Sequence, residues 1–195
     1  MSWADRSPEI FFESCRERDL YESCDGASAY RDFQWPHRVG IHSRGEFPVA
    51  VVRKRYAERG YDSWISAQAK HGVPSYLLER MPGKRRQGDP AYSKMVEVFG
   101  IELLDEFHAL AAAERQRHGL RSAGGDPDLF VQRKDDPTDR FFVEVKLEDL
   151  TGHRPYKDQP NRQQIVLFPL IEANLRCLVR LATVRLRLER ESQTG

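Results

Sequence analysis

Asp128, Glu144 and Lys146 are the residues of this chain whose types and spacing could do chemistry. Asp128 stands in the run Gly125-Asp126-Pro127-Asp128-Leu129, and the other two in Phe142-Val143-Glu144-Val145-Lys146. If residues 128 to 131 and 141 to 147 are neighbouring strands, the two-residue period puts Phe141, Val143, Val145 and Leu147 on one face and Glu144 with Lys146 on the other. Asp128 then meets Glu144 across the pair. Two carboxylates about 4 Å apart repel by roughly 4 kcal/mol at an effective dielectric near 20, so they require a cation or a proton between them. Oxygen ligands beside an ammonium suit Mg²⁺ and phosphoryl chemistry better than they suit zinc. Singly, Glu144 and Lys146 read as the wet face of an amphipathic strand and Asp128 as a turn residue after Pro127.

The elements that must position these residues can be read along the chain. A helix is expected from Glu46 to about Glu58, with Phe47, Val51, Val52 and Tyr56 apolar and Gly60 closing it. Residues 61 to 67 read as a strand. A segment rich in Gly, Pro and basic residues, 70 to 90, precedes one helix over about 91 to 117, where Tyr92, Met95, Phe99, Leu103, Phe107 and Leu110 recur at helical spacing. The Asp128 and Glu144 strands follow, with a turn at 134 to 139. A helix from Gln163 to about Ala173 and a strand from 177 to 188 complete the set. Asn161-x-x-Gln164 and Ser43-x-x-Glu46 are both capping-box patterns, in which the residue three positions after the N-cap bonds back to the N-cap amide. Residues 1 to 45 read as irregular, with short helical pieces around 8 to 22 and an aromatic cluster of Tyr30, Phe33 and Trp35.

Pro127-Asp128 followed by Glu144-x-Lys146 resembles the signature of the PD-(D/E)XK nuclease superfamily. Gly125-x-Pro127-Asp128-Leu129 with Glu144-Val145-Lys146 is similar, more narrowly, to its VRR-NUC branch. The resemblance covers roughly residues 46 to 188. It implies an α/β fold with a restriction-endonuclease-like core, in the order helix-strand-strand-strand-helix-strand about a mixed central sheet. It divides the chain into an N-terminal accessory extension over 1 to 45, a nuclease-like domain over 46 to 190 with a helical insertion at about 70 to 120, and a disordered tail from 191.

The activity implied is Mg²⁺-dependent hydrolysis of phosphodiester bonds in DNA, structure-selective and serving repair, processing or restriction, with Mn²⁺ able to substitute. Asp128, Glu144 and the carbonyl of Val145 would hold the metal, and Lys146 would orient the attacking water. Asp and Gln residues that follow the lysine in the branch are matched by Asp158 and by Gln163 or Gln164, with Gln164 taken as the site residue. The acid on the superfamily's first helix is matched by Glu46, with Glu102 or Glu106 behind it. The alternative is a non-catalytic nucleic-acid-binding or assembly module on the same fold. RNA as the substrate and an oligomeric state both stay open.

Charge and composition fit this reading. The net charge of +1 argues against a protein that coats nucleic acid nonspecifically and leaves room for a local basic groove. Candidate phosphate contacts are Lys84, Arg85, Arg86 and Arg162, with further arginines at 176, 180, 185, 187 and 190. The 39% apolar and 31% charged fractions suit a globular chain, and no apolar run nears the roughly 20 residues of a membrane span. No basic region followed by an apolar stretch opens the chain, so a cytoplasmic protein without a secretory signal is expected. Cys15, Cys24 and Cys177 cannot make a complete disulfide framework. Cys15-x8-Cys24-x12-His37-x4-His42 has two spacings of a zinc finger, but its first gap is too long for the knuckle that preorganises two sulfurs. The cysteines are therefore expected to be small core residues, and His108, His118 and His153 surface or structural ones.

Overall fold

The computed structural model describes residues 3–15, 46–65, 90–120, 125–150 and 156–188. After a single 3-10 turn at Trp3–Asp5 the elements run β1 (Glu9–Cys15), α1 (Glu46–Glu58), β2 (Tyr61–Ile65), α2 (Pro90–Phe99), α3 (Ile101–Arg117), β3 (Leu129–Arg133), β4 (Arg140–Asp149), β5 (Tyr156–Lys157), α4 (Arg162–Leu175) and β6 (Val179–Leu188). The strands are ordered β1-β6-β4-β3-β2, with β5 also paired to β4. β1 runs parallel to β6, whereas the β2-β3, β3-β4 and β4-β5 pairs are antiparallel, so this is an α/β chain with a mixed sheet. No helix among the described residues is long and apolar enough to cross a membrane. The chain forms two compact units: Met1–Ser7, Tyr56–Glu144 and Pro160–Leu181 in the first; Pro8–Arg55, Val145–Gln159 and Ala182–Gly195 in the second.

In the first unit the β2-β3 ladder runs from Tyr61↔Arg133 to Ile65↔Leu129, and the β3-β4 ladder from Gln132↔Arg140 to Leu129↔Val143. The expected turn at 134 to 139 joins β3 to β4. Asp136 there accepts from the amide and hydroxyl of Thr138, and Arg133 N–H closes on the Asp139 carbonyl. Phe130 and Phe142 meet with ring centroids 5.2 Å apart and are buried with Met95, Leu104, Phe107, Leu167, Phe168 and Ile171 from α2, α3 and α4. Tyr56, Tyr61 and Phe141 form a separate set of edge-on aromatic contacts. Trp3 completes the larger core: its indole lies 4.6 Å edge-on from Phe168 and donates to the Val179 carbonyl. Arg6 grips both oxygens of Glu172.

The single helix expected over 91 to 117 is two helices. Gly100 breaks it at φ 79°, a left-handed conformation that glycine adopts without a Cβ penalty. The break rotates the apolar stripe. Tyr92, Met95 and Phe107 are buried as expected, but beyond the break Leu104 and Ala111 take core positions, Leu103 is half-buried and Leu110 is exposed. His108, expected at the surface or in a structural role, is buried with Nδ1 3.8 Å from Asp105.

The second unit corrects the reading of the N-terminal region. Residues 9 to 15 are not helical; they form β1 and pair with β6 from Glu9↔Ala182 to Cys15↔Leu188. Ile10, Phe11 and Phe12 favour a pleated surface, and the ladder that fixes them comes from a strand far along the chain, beyond any local periodicity. Phe11, Val184 and Leu186 are buried here, as are Val51 and Val52 of α1. Arg55 pairs with Glu13 at 2.7 Å, and Arg187 lies 4.4 Å from the centroid of the exposed Phe12 ring. Tyr30, Phe33, Trp35 and the residues from 191 onward lie outside the described residues.

Candidate active site

In β4, residues 141 to 147 are buried without interruption, which removes the wet-face reading of the strand. Glu144 is 2% exposed. A buried carboxylate must be compensated, and one hydrogen bond to it comes from the start of α4. Asn161, extended at φ −85° and ψ 169°, caps the helix by accepting from the Gln164 amide at 3.1 Å. Gln164 returns the bond, its Oε1 accepting from Asn161 N–H at 2.9 Å. Because a backbone N–H only donates, this contact fixes which end of the Gln164 amide is oxygen. The NH₂ end therefore faces β4 and donates to Glu144 Oε1 at 2.5 Å. The capping-box and site readings of Gln164 are one arrangement: the cap orients the amide that holds the carboxylate.

Asp128 immediately precedes β3. Asp128 lies at a bend, and the β3-β4 ladder ends at Leu129↔Val143, so Asp128 and Glu144 are the next residues beyond that last pair on the two segments. Asp128 is half-buried, and Asp126, two residues earlier, is buried. The approach of α4 to this segment explains Gly125. It sits at φ 92°, and a Cβ there would lie 3.0 Å from the Cβ of Gln163. Of the two glutamines, Gln164 reaches Glu144, whereas Gln163 packs beside Gly125.

In the second unit Lys146 is also buried, at 6% exposure, and its Nζ lies 3.5 Å from Asp158 Oδ2. Val145 is buried as well. The Asp158 amide donates to the Leu147 carbonyl, which brings that carboxylate back beside the strand. Glu46 opens α1, and its side chain is not among those described. Glu102 and Glu106 are exposed on α3. Arg162 is exposed at the first position of α4 and donates to the His118 carbonyl at 3.1 Å. Lys84, Arg85 and Arg86 lie outside the described residues, as do Cys24, His37, His42 and His153. Cys177 is buried with a free thiol, and burial pushes its pKa up to about 12.

Asp126 and Glu148 were missed by reasoning from sequence. Asp126 had a signal in the Asp-x-Asp spacing with Asp128, and Glu148 had one in the strand period that already joins Glu144 to Lys146. No group of three or more His, Cys, Asp or Glu residues able to hold a metal occurs among the described residues. Mg²⁺ is commonly bound through one or two carboxylates with water in the remaining positions, and Asp128 and Glu144 are oxygen donors of that kind. Comparison with family models, curated proteins and solved structures returned no match to this chain.

Proposed function

We propose that this chain is a metal-dependent nuclease with a restriction-endonuclease-like core, acting on DNA. The observation that carries the proposal is the amide of Gln164 held on the buried Glu144, beside a β3-β4 ladder that ends at Leu129↔Val143, next to Asp128 and Glu144 in the chain. The order α1, β2, β3, β4, α4, β6 supports it, since it repeats the helix-strand-strand-strand-helix-strand core once α2 and α3 are set aside as an insertion and β1 and the two-residue β5 as additions.

Asp128, Glu144 and the Val145 carbonyl would hold Mg²⁺, or Mn²⁺ in its place. The ion, when bound, supplies an activated water and polarises a phosphoryl oxygen. Gln164 fixes one oxygen of Glu144, so that the carboxylate is preorganised rather than free to rotate. Lys146 would orient the attacking water and offset the charge that develops on phosphorus. Asp158 Oδ2, 3.5 Å from the Lys146 ammonium, would help to hold it in place.

The test is cleavage of a panel of labelled single-stranded, duplex, flap, nicked and junction DNA, with matching RNA, in Mg²⁺, Mn²⁺ or EDTA. Cleavage of DNA that needs the metal and is lost in Glu144→Gln is expected. No cleavage of any substrate, with nucleic-acid binding retained, would replace the nuclease by a binding module.

A further inference from the structure

Glu148 lies in the second unit between two cations. It faces Lys157 directly in the β4-β5 ladder, with Oε1 3.6 Å from Lys157 Nζ, and its Oε2 accepts from Arg185 Nε of β6 at 2.5 Å. Each carboxylate oxygen thus serves one cation. The side chain of Glu148 is only 14% exposed, against 35% for Arg185 and 64% for Lys157, so the acid lies inside and the cations outside. The hydrogen bond from Arg185 holds the Glu148 carboxyl below the usual range, which keeps the brace ionised at neutral pH. Lys146, with Asp158 against it, belongs to the same unit.

We propose that Arg185 and Lys157, braced by Glu148, form a phosphodiester-binding row that holds the nucleic-acid backbone. The guanidinium spends its Nε on Glu148, and among the described residues no other hydrogen bond occupies it. Its two terminal nitrogens keep the fork geometry that matches two phosphate oxygens. Two cations, Lys157 and Arg185, meet the single carboxylate of Glu148, so this group carries surplus positive charge. The proposal rests on the nuclease reading only for the identity of the anion.

A purely structural ion pair and a phosphate contact are separated by breaking the same pair from its two ends. Fluorescence anisotropy of labelled single-stranded DNA, duplex DNA and RNA, in EDTA so that nothing is cut, reads affinity from about 50 to 200 mM salt. Arg185→Ala is expected to weaken binding roughly tenfold. It should also reduce the slope of log K against log salt by about 0.7 on single strands and about 0.9 on duplex. Glu148→Gln breaks the same pair but removes a negative charge, so it should bind as tightly as the wild type or more tightly.

Equal losses in the two variants, or an unchanged slope in Arg185→Ala, would overturn the row, as would failure of the wild type to bind any oligonucleotide. Lys157→Ala, at a more exposed position, carries the same expected slope change should Arg185→Ala fold poorly. A preference for DNA or RNA identifies the source of the backbone, and either supports the row. Wild-type protein that binds but cuts nothing would sink the nuclease reading while leaving this comparison intact. Cleavage with an unchanged Arg185→Ala slope would sink the row alone.

Discussion

Replacing Gln164 with alanine removes two hydrogen bonds whose effects can be separated. The first, from Asn161 N–H to Gln164 Oε1, is half of the capping box and contributes about 1 kcal/mol. The second runs from Gln164 Nε2 to the buried Glu144 carboxylate, and a bond to a charged group contributes about 1.5–3 kcal/mol. Gln164→Ala should therefore cost about 2.5–4 kcal/mol, or a fall in Tm of about 5–15 °C for a chain of this size. Asn161→Ala loses only the capping acceptor, keeps both bonds of the Gln164 side chain, and should cost about 1 kcal/mol. Gln164→Glu keeps an oxygen for the cap but sets a second carboxylate against Glu144, so it should be less stable than Asn161→Ala when no divalent ion is present. Thermal and urea unfolding in EDTA measure all three. Equal losses in Gln164→Ala and Asn161→Ala would refute the reasoning, because Glu144 would then draw nothing from the amide.

Other outcomes follow from the same geometry. Isothermal titration should show Mg²⁺ or Mn²⁺ binding that disappears in Asp128→Asn and in Glu144→Gln; binding unchanged in both would move the metal elsewhere. Lys146→Ala should lower single-turnover cleavage by about 10² to 10³ while DNA affinity in Ca²⁺ changes little, and Lys146→Arg should not restore the rate. Equal rates in all three proteins would remove Lys146 from the reaction. Gly125→Ala meets both a positive φ and the Gln163 Cβ, so a loss of about 1–3 kcal/mol is expected by urea unfolding, and a neutral result would contradict that close approach. The Cys177 thiol, raised to about 12, stays protonated well above neutrality, so peptide mapping after alkylation at mildly alkaline pH should find it modified only in unfolded protein.

What was legible in the sequence was local. Asn161 and Gln164 announce a helix start because a capping box closes within four residues, and α4 begins at Arg162 as that pattern requires. The strand pair β3-β4 was legible because a short turn joins the two and pins their register, although Asp128, expected on the first of them, lies just before it. Non-local pairing was not legible. Nothing within residues 9 to 15 names β6 as their partner, and nothing around Glu148 shows that Arg185 comes beside it. The break at Gly100 lies between: a glycine within a helical pattern is tolerated or ends it according to the packing on either side, and here Leu104 and Ala111 replace Leu110 in the core. Uninterrupted burial along β4 was also hidden, since alternation predicts which side a residue takes and says nothing about what covers that side.

Trp3 and Val179 are 176 residues apart, yet the indole of one donates to the carbonyl of the other. On a ribosome this chain emerges at several residues per second, so the Trp3 side chain waits many seconds for its acceptor. Through that interval Ile10, Phe11 and Phe12 also lack β6. Closing so long a loop is entropically costly before its contacts form, which makes this late join a slow step in folding. A nascent chain of this design keeps Ile10, Phe11 and Phe12 without their partner strand until β6 has been made, so the emergence of β6, rather than of any earlier element, sets when the complete sheet can first exist.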